Sequence, residues 1–237
     1  MSGVFSPHSF RFLRALARNN TRPWFEAHRR EYEAFLKQPL RELVEEMDVR
    51  LARLAPEIVG EPKRSIFRIH RDVRFSEDKS PYKTNGGLWF YHRDASHRVG
   101  QESHGGGAGF YFQIQPGNCF SGGGIWMPPR EALNRIREAI AEKPATFTKI
   151  VEEPKVAKRV GPLDEDAMLT RVPRGYAPDH PAARWLKYKS FTLGRGYSDR
   201  DVVSPRLPAL LEADFELMLP LVRWLNAALG LRPATRR

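Results

Sequence analysis

The hydrophobic period of this chain changes twice, and that change limits its fold more than any other feature. It is about 3.6 up to the early sixties, 2 from Lys63 to Met127, and 3.6 again after Pro128-Pro129. In the first block, Ser6-Pro7 is a start site with serine as cap and proline at the first helical position, followed by Phe10, Leu13 and Ala17 until Asn19-Asn20. A second helix is expected from Thr21 to Gln38, with Trp24, His28, Tyr32 and Phe35 on one face and Trp24 and Phe35 in the core. A third carries Leu40, Leu43, Val44, Met47, Leu51 and Leu54 and stops at Pro56.

The middle block reads as a sheet. Ile66 to Phe75 is the expected first strand, Gly87 to Tyr91 the second, and Gly109 to Gln115 the third, with Phe110, Phe112 and Ile114 alternating against Tyr111, Gln113 and Gln115. Pro116-Gly117 suits a type II turn into a strand from Asn118 to Met127, which makes an antiparallel hairpin. After it come a helix carrying Leu133, Ile136, Ala139 and Ile140, a shorter one from Ala145 to Val151, and a charged, proline-rich connection. Asp179 to Lys187 is expected as helix, Ser190 to Leu193 as a late strand, and Pro208 to Leu229 as a closing helix kinked at Pro220. Helices, then strands, then helices predict an α+β fold in one domain over 1–237, with a mainly antiparallel central sheet.

Composition excludes several classes. With 41% hydrophobic and 28% charged residues the chain is neither disordered nor fibrous, and no run approaches the ~18 apolar residues of a membrane span. The N-terminus lacks a secretory pattern, which predicts a cytoplasmic protein without membrane partners. One cysteine, Cys119, excludes an internal disulfide and is expected in the core rather than as a nucleophile. The formal charge is +11, and 29 of the 39 cationic residues are arginine, whose planar fork grips phosphate or carboxylate with two hydrogen bonds. An anionic partner follows as an expectation, although arginine enrichment also serves solubility.

The charge concentrates between Arg68 and Lys83. On an extended chain Arg68, His70, Asp72 and Arg74 share one face, a row of cations around one carboxylate that a bound anion would offset. The loop after it adds Asp78, Lys79, Tyr82 and Lys83. The expected ligand set is Arg68, Arg71, Arg74, Lys79, Tyr82 and Lys83, with Tyr82 as a hydrogen-bond donor and Asp72 or Asp78 orienting an arginine or acting as base. Neighbouring cations lower a carboxyl pKa, which favours binding over acid catalysis.

Two other readings stand beside this one. A nucleic-acid-binding module would use the net charge and the sheet aromatics Trp89, Phe90, Tyr91, Tyr111 and Trp126, but alternation puts Phe110 and Phe112 in the core and thins that platform. In a structural protein, Arg71, set among apolar neighbours, would pair with a carboxylate to fix the fold, and loss of Arg71 or Asp72 would unfold the chain.

Arg68, Arg71, Asp72, Arg74, Phe75, Asp78, Lys79 and Tyr82 fit the pattern R-x-x-R-D-x-R-F-x-x-[DN]-K-x-x-Y, which resembles the signature of the domain-of-unknown-function family 2461. The similarity extends through Asn19-Asn20-Thr21-Arg22-Pro23-Trp24-Phe25, Asp179-His180-Pro181 and Lys187-Tyr188-Lys189-Ser190-Phe191. It implies a single full-length domain and no particular activity.

Other motifs point to no cofactor. Gly105 to Gly109 leads into a strand, and neither it nor Gly122-Gly123-Gly124 is followed by G-K-[ST], so both are expected to serve as flexible loop or close backbone approach, the second leaving room for a pocket above the sheet. His92, His97 and His104 with Asp94 and Glu102 have no compact metal spacing, and no metal is expected.

Overall fold

The computed structural model describes residues 3–74, 77–95 and 106–234. Helix α1, Pro7–Arg18, begins at Ser6 as its capping residue and proline pattern require. Next, α2 (Arg22–Ala27) and α3 (Arg29–Tyr32) run into a π-helical turn, Glu33–Lys37, and then α4, Gln38–Leu54. The expected break at Pro39 does not occur. Pro39 lies in the first turn of α4, where its missing N–H costs little, and the interruption falls at His28 instead. Burial also shifts by one residue from the expected stripe: Phe25 and Leu36 are buried, while Trp24 and Phe35 are only partly covered, Phe35 lying within the wider π turn and Trp24 before the break at His28.

Short elements β1 (Ile58–Val59) and α5 (Pro62–Ser65) lead to β2 (Gly86–His92), β3 (Gly109–Ile114) and β4 (Cys119–Ile125). The third-strand and hairpin expectations hold, with Gly117 at φ +73° and the Asn118 amide donating to the Gln115 carbonyl at 2.9 Å. Helices α6 (Arg130–Glu142) and α7 (Pro144–Val151) follow as read, and α8 (Pro154–Val160) occupies the connection that its prolines disguised. The helix expected over 179–187 shrinks to α9, Ala183–Leu186. Strand β5, Phe191–Tyr197, is longer than expected, and α10 (Asp199–Val202) and α11 (Leu207–Ala228) close the chain, α11 passing through Pro220.

The five strands lie in the order β1-β2-β3-β4-β5, and every pair is antiparallel, so the fold is α+β. Phe110, Phe112 and Ile114 are fully buried, and Phe110 stacks on Phe215 of α11 with ring centroids 4.4 Å apart. The glycine run of β4 serves this packing. A Cβ on Gly123 would lie 2.7 Å from Cβ of Met218, so the glycine lets α11 approach the sheet. Gly124, at φ +137°, adopts a backbone conformation that a side chain would strain. Cys119 is buried, which pushes its thiol up to about 11, and it donates to the Gln115 carbonyl at 3.1 Å.

Two carboxylates are buried in this framework, each held by arginine. Asp214 of α11 is wholly buried and accepts from Arg159 of α8 at 2.5 Å, from Arg195 of β5 at 3.0 and 3.1 Å, and from the Tyr197 hydroxyl. Glu57 accepts from Arg223 Nε at 2.7 Å; burial pushes its carboxyl up, but the guanidinium outweighs this and holds it below the usual range. Among the described residues no helix is long and apolar enough to cross a membrane.

Candidate functional site

The segment read as a first strand, Ile66 to Phe75, does not form one. Residues 66–71 run antiparallel to 81–88 through two isolated bridges, Ile66 to Leu88 and His70 to Tyr82. Hydrogen bonds from Phe67 to Gly87 (3.0 Å), Arg71 to Pro81 (2.9 Å) and Lys83 to Ile69 (2.7 Å) join them. The ladder then stops for a local reason. Asp72 accepts from the Arg74 amide at 3.2 Å and Asp78 from the Ser80 amide at 2.9 Å, so each aspartate turns the backbone that a strand would need straight. Phe75, a position of the signature, lies outside the described residues.

The turns divide the expected charge cluster in two. In the loop, Arg74 clasps Asp72 through Nε and a terminal nitrogen at 3.0 and 2.7 Å. Lys79 donates to the Val73 carbonyl at 3.0 Å. The Arg74 hydrogen bonds hold the exposed Asp72 carboxyl down at about 2. Bonds from Ser80, with Arg71 nearby, lower Asp78 as well, so neither aspartate is a proton donor near neutrality.

The second group surrounds a cleft of about 440 Å³ lined by Phe67, Arg71, Lys83, Asn85, Gly87 and Tyr111. Arg71 is steered by an ion pair with Asp78. Lys83 has no carboxylate partner among the described residues; its ammonium sits 5.3 Å from the Phe67 ring centroid. Burial, followed by the charges of Arg68 and Arg71, holds Lys83 below the ordinary lysine value. Arg68, which is exposed, acts electrostatically on both Lys83 and Asp72 and so joins the two groups.

Sequence reading missed the polar wall of this cleft. Asn85 and Tyr111 donate to Oε1 of Gln113 at 2.8 and 3.1 Å, and Gln113 donates onward to Gln115 and to the Asn118 carbonyl. Burial raises the Tyr111 phenol to about 12, so it remains a donor. The alternation that turned Tyr111 and Gln113 away from the core was the available clue. Gly87 leaves room for both rings here, since a Cβ at this position would lie 2.9 Å from the Tyr111 hydroxyl and 3.2 Å from Phe67 and would displace them.

Tyr82, expected as a ligand donor, is placed differently. Its side chain is only 2% exposed and stacks on Phe25 at 4.1 Å, with His70 beside it. Asn20 holds its backbone on both sides, accepting from the Tyr82 amide at 3.1 Å and donating to its carbonyl at 2.8 Å. The Asn20 to Phe25 segment therefore anchors the ribbon that carries Lys83. Asn20→Ala is expected to lower stability by about 1–3 kcal/mol, since two backbone groups lose their partner. Chemical denaturation of wild type and variant measures this.

The remaining histidine cluster is incomplete in description, because His97, Glu102 and His104 lie outside the described residues, as does Gly105. His92 is buried, accepts from the Asp94 amide at 3.2 Å and, through Nε2, donates to the Arg232 carbonyl at 3.0 Å.

No curated protein and no solved structure matches the chain. A family model does, over residues 8–224, a span that includes the Asn20 anchor, the ribbon and the cleft. On that match the chain belongs to the family described as "Conserved hypothetical protein (DUF2461)".

Proposed function

We propose that the cleft on the face of the paired 66–71 and 81–88 segments, walled by Tyr111, binds a small phosphorylated or otherwise anionic ligand. The observation that carries this reading is Lys83, a half-buried ammonium beside Arg68 and Arg71 with no acidic partner of its own among the described residues. A cation is held in such a place at a cost, and an anion in the cleft removes that cost. Arg71 and Lys83 supply charged donors, Asn85 a neutral amide, and Phe67 an apolar wall. The loop pair Arg74 and Asp72 then has a supporting role, screening the approach to Arg68. With both aspartates ionised, the reading is of binding first, and turnover would require a base supplied in the complex.

The test is a thermal-shift screen of the full chain against phosphate, nucleotides, sugar phosphates, divalent metals and short DNA and RNA, repeated on Arg68→Ala/Lys83→Ala. Stabilisation by a small anion that disappears in the variant supports the proposal. Stabilisation by polymers alone, abolished by salt, favours the nucleic-acid reading instead.

The depressed Lys83 pKa fixes the pH dependence. Below that folded-state pKa the uncomplexed protein carries the full cost of the charged amine, and stability from this group rises with pH between it and the ordinary lysine value. Anion affinity runs the other way and falls as Lys83 loses its proton. Lys83→Arg should flatten that alkaline fall, as isothermal titration across the alkaline range would show.

A further inference from the structure

A second basic depression lies on another part of the fold, and its construction differs from that of the cleft. It has a volume of about 590 Å³ and is lined by Lys155, Lys158 and Arg159 of α8, Arg195 of β5 and Leu217 of α11. Two of these cations are fixed from behind. The buried Asp214 carboxylate takes Nε of Arg159 and one terminal nitrogen of Arg195, and it is itself braced by the Tyr197 hydroxyl, which lies 3.1 Å from Ser121 Oγ. Arg195 also lies over the Tyr197 ring, 5.2 Å from its centroid. Both guanidiniums stay partly open, at 39% and 31% side-chain exposure, so their remaining N–H groups face outward from a fixed base.

Lys155 and Lys158 complete the rim. Both are exposed, and neither has an ion-pair or hydrogen-bond partner among the described residues. Four cations thus line the depression, and the one carboxylate behind them has both oxygens turned inward and already occupied by Arg159, Arg195 and Tyr197. If the arginines served only to neutralise Asp214, one guanidinium would balance its charge. The second guanidinium and the two lysines leave an excess of three positive charges around an open space.

We infer that this depression is a second anion site, built for a phosphate-bearing ligand with two or more negative charges, such as a pyrophosphate or a phosphomonoester. Arg159 and Arg195 present oriented forks to the phosphate oxygens, and the two lysines add charge that adapts to the ligand's length. This inference does not depend on the Lys83 cleft.

The experiment is isothermal titration of the full chain with inorganic pyrophosphate at constant ionic strength. The starting protein is Arg68→Ala/Lys83→Ala, in which the cleft is disabled. Saturable binding is expected to persist there, to weaken at least tenfold when Lys155→Ala/Lys158→Ala is added, and to return with Lys155→Arg/Lys158→Arg. The lysines are exposed and outside the Asp214 network, so these variants keep the fold, which circular dichroism checks. Loss of all binding in the cleft variant, or a change of less than twofold on removing the two lysines, overturns the second site. Loss of binding only on removing the lysines, with the cleft variant indistinguishable from wild type, overturns the cleft and leaves this site standing.

Discussion

Asp214→Ala is expected to lower the unfolding free energy by about 3 kcal/mol, the low end for breaking a buried ion pair. Asp214 joins α8, β5 and α11, because it is wholly buried and accepts from Arg159, Arg195 and Tyr197 together. Removing it leaves two guanidiniums without their counter-charge and a buried phenol with only Ser121 Oγ as partner, at a place where water has little access. Because both arginines retain some solvent contact, the loss stays near the bottom of the range rather than the top. Arg14→Ala provides the contrast. In its ion pair with Asp199 the arginine is exposed and the aspartate only partly covered, and the loss should cost less than about 1 kcal/mol. Urea denaturation of the two variants, compared at unchanged denaturant slope, gives both numbers, and a loss below about 1 kcal/mol for Asp214→Ala would remove the network from the account of stability.

Arg68→Ala/Lys83→Met should weaken binding of a small anion in the cleft by about one to two orders of magnitude, because the charge-assisted hydrogen bond lost with Lys83 is worth roughly 1.5–3 kcal/mol and exposed Arg68 adds only a screened charge. The same double variant should be no less stable than wild type. Lys83 is half-buried against Phe67 with two cations nearby, so replacing it with an apolar side chain of similar length removes repulsion and desolvation while keeping the packing. This combination separates a ligand site from scaffold: the structural reading predicts lost stability, whereas the binding reading predicts lost affinity with stability retained. Titration calorimetry and thermal melting on one preparation measure both.

Much of this fold could be read from the sequence because its elements obey local rules. Ser6-Pro7 starts α1, the Phe110 to Ile114 alternation sets the sheet face, and Pro116-Gly117 turns the hairpin. Errors arose where local chemistry competes with period. Asp72 and Asp78 capture backbone amides two residues ahead and convert an apparent strand into a loop. A π turn carries the helix past the expected stop at Pro39, and the break at His28 separates Trp24 from the stripe that the sequence period continues, so Phe25 and Leu36 are the buried residues.

The site was legible as a concentration of charge but not in its arrangement. Nothing in the spacing of Arg68 to Lys83 tells that Arg74 and Lys79 are engaged within the loop while Arg71 and Lys83 face the cleft. Asn20 and Tyr82 are 62 positions apart, and only the folded chain joins them. The Asp214 network was equally hidden, since a lone aspartate in an amphipathic helix looks the same whether it faces solvent or two arginines from other elements.

Titration of Lys83 itself tests most directly whether its half-buried ammonium is the group that an anion in the cleft neutralises. The ammonium pKa of Lys83 can be followed by NMR on specifically labelled protein, first alone and then with saturating inorganic phosphate or pyrophosphate. The account predicts a value below the ordinary 10.5 in the free protein and a rise when the anion is added, with the resonance lost in Lys83→Arg. A Lys83 that titrates at the ordinary value, or whose depressed value does not move with any anion that the protein binds, would contradict it.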